Sequence, residues 1–322
     1  MKFTKIAAII SVAALLMTGC SASKTAISVG DITASKGDVE FLVNDYNMQL
    51  GNFETAKEYA TKAIKDAMLI KAVAQANGIV LSEDDIKTIK QTTAQVKSNY
   101  GGASAFKKAL KEVGASEDFI SIVLEQSFYQ NALSNIFTVE DPTDEDLKKY
   151  MTEKYRRAKH VLIQVGEDVV TGDLEKTEAE KILKQAQDGA DFDALIKEHS
   201  DDPGSESNPD GYVFTDNEMV KEFQDGVDSI KPGEFTMVKS DYGYHVIQRL
   251  ALDESDSKFN DLFTANKEAA LASYKSVKFD EQVENFAKEN GIELVVDEEA
   301  IAAIVEKIEE TDEEATNEED AQ

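Results

Sequence analysis

The chain has one cysteine, no tryptophan, four prolines and three histidines in 322 residues. A single thiol excludes an internal disulfide and a cysteine-built zinc site. The histidines, His160, His199 and His245, are scattered too widely for the short helical spacing of a histidine zinc site. No glycine-rich phosphate cradle and no nucleophile elbow occurs. Acidic residues outnumber basic ones, 63 to 34, for a formal charge of -29. That excess argues against nucleic acid as a partner and against docking on anionic lipid. Beyond the first twenty residues, no apolar run approaches the roughly 20 residues that a membrane span requires.

What is present begins at the N-terminus. "MKFTKIAAIISVAALLMTGC" carries Lys2 and Lys5, an apolar run from Ile6 to Met17, then Thr18-Gly19-Cys20. This charged, apolar, small-residue order is that of a secretory signal, placed at residues 1–19. The stretch resembles the lipobox of bacterial lipoproteins, with Met17 where the usual box has leucine. The resemblance implies that Cys20 is lipidated and becomes the first mature residue. Diacylglycerol supplies two acyl chains, enough for stable anchoring. The expected location is the extracytoplasmic face of a bacterial cell membrane. An ordinary secreted protein with one free cysteine is the alternative.

From Ile27 to about Ile136 the apolar spacing is mostly helical, as in "DVEFLVNDYNMQL" and "ATKAIKDAMLIKAVAQANGI". Ser82 with its acidic successors and Ser116 are expected N-caps, and Gly114 a helix end. Residues 20–140 are therefore assigned to a helical domain. Pro142 breaks the chain and Thr143 caps a short helix. "AKHVLIQV" then shifts to strand-like, β-branched content. Next come a broken helix to Ser200, the loop "DDPGSESNPDGYVF", a helix over "NEMVKEFQDGVDSI", a turn at "KPGEFT" and a last strand in "KSDYGYHVIQRL". This second domain is placed at 153–252. Helical periodicity returns over 253–296, and 297–322 reads as an acidic tail, a short helix fraying into disorder.

A histidine between Tyr244 and Val246 is costly unless its ring is hydrogen-bonded, so His245 is either a satisfied core residue or part of a site. The surrounding residues decide. "AKHVLI", "HSDDPGS", "EMVKEF" and "KSDYGYHVIQRL", in that order, resemble a parvulin-type peptidyl-prolyl isomerase domain. With the lipobox and flanking helices, the whole plan resembles the extracytoplasmic foldase lipoproteins of the PrsA type. The resemblance implies an α+β fold: a parvulin-type domain, with a small antiparallel-containing sheet and surrounding helices, inserted into a mostly α-helical chaperone-like domain. It implies that 253–296 completes the helical domain.

The same resemblance carries site residues. His160 and His245 match two facing histidines of the parvulin cleft, and Asp202 matches its third polar residue. Met219 and Phe223, with Phe214 beside them, match the proline pocket. His199 reads as structural or exposed. Two positions depart from the family: Gly211 falls where a pocket leucine is usual, and Tyr242 where a small polar residue is usual. Tyr212 or Val213 is left to fill the gap. The expected activity is cis–trans isomerisation of X-Pro bonds in unfolded or newly secreted proteins, with no cofactor and no metal. "DDPGSESNPDG" is oxygen-rich but lacks EF-hand spacing, so a solvated loop is preferred to a calcium site. The competing function is a holdase whose parvulin domain is a catalytically weak peptide clamp. Homodimerisation through the helical domain stays open.

Overall fold

The computed structural model describes residues 24–50, 52–166, 173–216 and 218–305. The expected signal peptide, Cys20 and the tail beyond residue 305 lie outside the described residues. Two compact units divide the chain, one running to Asn135 and resuming at Glu284, the other Ile136–Val283.

The first unit opens with a hairpin where helix was expected. Strand β1 (Thr25–Val29) pairs antiparallel with β2 (Ile32–Ser35). Ala26, Ile27 and Val29 are buried there, and segments of five and four residues are too short to display a period. Five helices follow: α1 (Lys36–Leu50), α2 (Phe53–Ala76), α3 (Glu83–Asn99), α4 (Ala103–Val113) and α5 (Glu117–Leu133). Their ends follow the sequence signals. Ser82 and Asp85 form a reciprocal capping box, Ser116 accepts the Phe119 N–H, and Gly114 closes α4 in the left-handed conformation. On α2, Ala56, Ala60, Ile64 and Met68 recur every fourth residue and are fully buried, forming the stripe around which α1 and α5 gather.

The second unit begins with α6 (Asp144–Lys154), capped by Thr143. The chain then runs through β3 (Arg156–Gln164), α7 (Asp173–Gln187), α8 (Phe192–His199), β4 (Tyr212–Phe214), α9 (Lys221–Asp228), β5 (Phe235–Ser240) and β6 (Gly243–Leu250). The four strands form one antiparallel sheet in the order β4-β3-β6-β5. Two of them were not expected. β4 lies at the end of the presumed loop, and β5 takes over Phe235 and Thr236 from the presumed turn. A three-residue strand carries no alternation to read, and β5 is recognisable only once β6 is beside it.

Side-chain parity sorts the sheet into two faces. Val161, Ile163, Tyr244 and Val246 pack against Ala179, Ile182, Phe192 and Leu195 of α7 and α8. On the other face, Ala158 and Ile247 pack against Phe214, Phe223 and Val227. The two central strands are thus covered on both sides, which explains why β3 is buried at four successive positions, His160 to Ile163.

The helix α10 (Phe259–Glu289) starts in the second unit. Phe259, Leu262, Phe263 and Ala270 join Leu147, Tyr150 and Met151 of α6 in one core cluster. The second compact unit therefore extends to Val283, and α10 up to that point belongs with it. The chain ends its described course with β7 (Leu294–Val296), paired with β1, and α11 (Glu298–Ala302). Ala300, Ile301 and Ile304 are buried in the core of the first unit. The short helix expected at the head of the acidic end is α11, and three apolar side chains anchor it in the core, so the assignment of residues 297–304 to a disordered tail is corrected.

Candidate active site

His160 lies on β3 and His245 on β6, where His245 pairs with Leu162. Leu162 and His160 are two residues apart and so share a face, which brings the histidines into diagonal contact. His160 Nδ1 and His245 Nδ1 are 3.0 Å apart, and the ring planes are within 8° of parallel. On its far side, His160 Nε2 is 2.8 Å from Asp202 Oδ2, and His245 Nε2 is 2.7 Å from the Ser240 hydroxyl. Both histidines are buried, at 8% and 4% exposure. The sequence-predicted triad therefore converges.

Asp202 is held by several donors. Tyr212 Oη donates to Oδ2 at 2.6 Å, Ser205 Oγ to Oδ2 at 3.0 Å, and the Gly204 N–H to Oδ1 at 2.9 Å. Partial burial by itself pushes this carboxyl up, but the hydrogen bonds from Tyr212, Gly204 and His160 outweigh it and hold the pKa down at about 2. The carboxylate is ionised at neutral pH. Burial lowers His160, partly offset by Asp202, and lowers His245 to about 4, with His160 adding to the effect.

These directions fix where the protons sit. An ionised Asp202 only accepts, so His160 Nε2 carries the hydrogen between them. A neutral His160 then accepts at Nδ1, so His245 donates from Nδ1. His245 Nε2 accepts in turn from Ser240, whose Oγ accepts the Tyr242 N–H at 3.2 Å. The chain of bonds has a single direction, from Ser240 to Asp202.

Phe223 stands edge-on to both imidazoles, at centroid distances of 5.1 and 5.6 Å. Phe214 leans on Phe223, and Met219, half-buried in the turn before α9, packs on the same cluster. Phe214 and Phe223 are only 1% and 3% exposed, so they form a floor and present little open surface. The open space lies on the other side of Asp202. A cavity of about 640 Å³ is lined by His160, Asp202, Tyr212, Lys159, Ile196 and Pro203 among others, and by none of the three pocket residues. His199, at the end of α8, is half-buried beside Glu178, 3.6 Å away, and takes no part.

The departures from the family pattern resolve as follows. Gly211 has φ +93°, and a Cβ there would lie 2.9 Å from the Ala158 carbonyl, so no leucine fits. Tyr242 is exposed at the hairpin tip, and Val213 packs beside the α6–α10 cluster. Tyr212 is the residue that enters the site. Sequence reading missed its bond to Asp202 and missed Ser240 altogether. The available signal for Ser240 was hairpin register, since it lies on the same face as Val238, the partner of His245.

Among the described residues, no group of acidic, histidine or cysteine side chains is arranged to hold a metal ion, and no helix is long and apolar enough to cross a membrane.

Comparison with known proteins bears on the same segment. Residues 146–251 match the PPIC-type PPIASE domain. The "Foldase protein PrsA" of Staphylococcus aureus (strain MRSA252) is 27% identical over 250 residues, 74% of this chain and 72% of that protein. The protein of the same name from Geobacillus kaustophilus (strain HTA426) is 34% identical over 162 residues, 47% of this chain and 52% of that protein. Among solved structures, PrsA from Bacillus anthracis aligns at 21% identity over 70% of this chain and 96% of that chain, with a TM-score of 0.30. PrsA from Bacillus subtilis aligns at 20% identity over 81% and 90%, with a TM-score of 0.28. Residues 146–251 thus form a parvulin-type peptidyl-prolyl cis-trans isomerase domain, in a chain that is similar over most of its length to the PrsA foldases.

Proposed function

We propose that Asp202, His160 and His245 are the catalytic group of this isomerase, and that Met219 over the Phe214–Phe223 floor receives the proline ring. The observation that carries the reading is the continuous hydrogen-bonded line from Ser240 through both imidazoles to a carboxylate at the edge of a cavity. Rotation about an X-Pro bond faces a barrier of about 18–20 kcal/mol because amide resonance is lost at the twisted geometry. The enzyme must bind that twisted state more tightly than either planar one. A planar amide places negative charge on its carbonyl oxygen. The fixed charge of Asp202 disfavours that separation and eases the loss of resonance, while removal of water from the carbonyl acts the same way. No proton needs to move. The neutral, hydrogen-bonded histidines hold Asp202 in place and act as supports more than reagents.

The mature chain is proposed to begin at a lipidated Cys20 and to act outside the cell membrane on newly secreted, unfolded proteins. Slow X-Pro isomerisation, over tens to hundreds of seconds, gives such a catalyst its use. The test is the cis-to-trans rate of a proline tetrapeptide with the mature chain and with Asp202→Ala. Catalysis by wild type that is lost in the variant is expected; no acceleration by wild type above the uncatalysed rate sinks the assignment.

A second reading has one observation in its favour. Gly211 cannot carry the leucine that would wall the pocket, which fits a weakly catalytic peptide clamp acting as a holdase. Suppression of client aggregation that survives combined Asp202→Ala and Met219→Ala substitution supports this reading over the first.

A further inference from the structure

We propose that Tyr212 is a further positioning residue of this site, a phenol that pins the Asp202 carboxylate at the cavity edge from outside its own loop. The inference rests on the reading of Asp202 as the catalytic carboxylate, and it adds a residue that the sequence pattern did not assign.

The geometry starts from register. Tyr212 pairs with Ala158, two residues before His160 and on the same face of β3. The tyrosine ring is thereby set edge-on to His160, at 5.7 Å and 80°, with its hydroxyl 2.6 Å from Asp202 Oδ2. The backbone before it is clamped. Arg157 Nε donates to the Asp210 carbonyl at 2.6 Å, Lys258 pairs with the Asp210 carboxylate, and Gly211 lies against the Ala158 carbonyl. Room for the phenol is made by Gly204, where a Cβ would clash with the Tyr212 hydroxyl and meet both its ring carbon and Asp202 Oδ1 at 3.3 Å. A glycine in the Asp202 loop and a tyrosine on β4 are thus a matched pair.

Asp202 has four donors. Gly204 and Ser205 belong to its own loop and travel with it. Of the four donors to its carboxylate, only His160 and Tyr212 stand on the sheet, and Tyr212 makes the shorter of these two bonds. Charge-assisted bonds to a carboxylate are the strong class of hydrogen bond, so loss of this one frees the carboxylate to rotate and raises its proton affinity. Tyr212 itself stays a donor through the working pH range, since burial and then Asp202 push its pKa up to about 12. The other titratable or charged groups around Asp202 are His160 with His245 behind it, the Lys159–Asp193 pair, Lys197, Asp201 and Glu206. These are untouched by a phenol-to-phenyl change.

The test uses the mature chain with Tyr212→Phe, Gly204→Ala and the two combined. Two quantities are read: the pH midpoint of the Asp202 carboxyl carbon by NMR, and kcat/KM for a proline tetrapeptide across pH. Tyr212→Phe is expected to raise the Asp202 midpoint by about one unit or more. It is expected to lower kcat/KM about tenfold and to move its acid limb upward with the midpoint. Gly204→Ala evicts the phenol and reproduces both changes, and it decides the matter should Tyr212→Phe not fold. The combined variant costs little beyond either single change. An Asp202 midpoint that stays put, or losses that multiply as independent effects, overturns the proposal. A wild-type chain without isomerase activity sinks the functional reading instead, while the carboxyl titration still decides for or against Tyr212.

Discussion

His160 and His245 face each other Nδ1 to Nδ1 at 3.0 Å, and only one of these two nitrogens carries a proton. Asp202 decides which. Because its carboxylate takes the Nε2 hydrogen of His160, the shared proton belongs to His245. At pH 7, ring nitrogen NMR shifts should show His160 protonated at Nε2 alone and His245 at Nδ1 alone. An imidazolium signature on either ring at that pH contradicts the assignment. His245→Ala leaves His160 Nδ1 buried without a partner, at a cost of about 1–3 kcal/mol in denaturant unfolding.

Stability should fall on the acid side in two windows. His245 titrates near 4 in the folded protein against 6.5 ordinarily, and Asp202 near 2 against 3.8. Both pKa values are depressed by folding, so the unfolded chain binds protons more tightly. The His245 contribution is complete above pH 6.5 and is lost as pH falls through about 4. The Asp202 contribution is complete above 3.8 and is lost as pH falls through about 2. Within each window the slope approaches about 1.4 kcal/mol per pH unit for one proton. Guanidinium unfolding of wild type and His245→Gln should show the gap between them narrowing from pH 7 to pH 4. A gap constant over that range would refute the linkage.

Gly211→Leu puts back the residue that the parvulin pattern has at this position, and it should do harm. The residue sits at φ +93°, with the Ala158 carbonyl, the Leu250 side chain and Lys159 Cγ all crowding a Cβ. The left-handed backbone alone costs about 1–3 kcal/mol for a residue with a side chain, and the clash adds to it. Thermal unfolding is the check. A variant as stable as wild type, with faster isomerisation, would mean that the pocket accepts the missing leucine after all.

The reach of the sequence differs between fold and site for physical reasons. His160, Asp202 and His245 were singled out through the resemblance of "AKHVLI", "HSDDPGS" and "KSDYGYHVIQRL" to the parvulin pattern, and the fold brings the three side chains together. Long helices such as α2 were legible from the four-residue recurrence of Ala60, Ile64 and Met68. The sheet formed by β1, β2 and β7 was not, because Ile27 finds its partner Val296 at the other end of the chain and β7 is three residues long. Ser240 and Tyr212 escaped for the same reason. Their roles depend on which strand residue lies opposite which, and register is a property of the assembled sheet.

The three residues expected to cradle proline should separate by experiment, because burial differs among them. Phe223 touches both imidazoles and is almost wholly buried, as is Phe214 beneath it. Removing either ring opens a cavity under the histidines, and Phe223→Ala or Phe214→Ala should cost about 3–5 kcal/mol. Met219 lies in the turn ahead of α9 and is half-buried, so Met219→Ala should cost only about 1 kcal/mol. Its effect belongs on the substrate side: KM for a proline peptide rises several-fold at nearly unchanged stability. Equilibrium unfolding and steady-state kinetics on the same three variants test the division. Should Met219→Ala leave KM where it was, the proline ring sits elsewhere, and the cavity bounded by Tyr212 and Pro203 becomes its place.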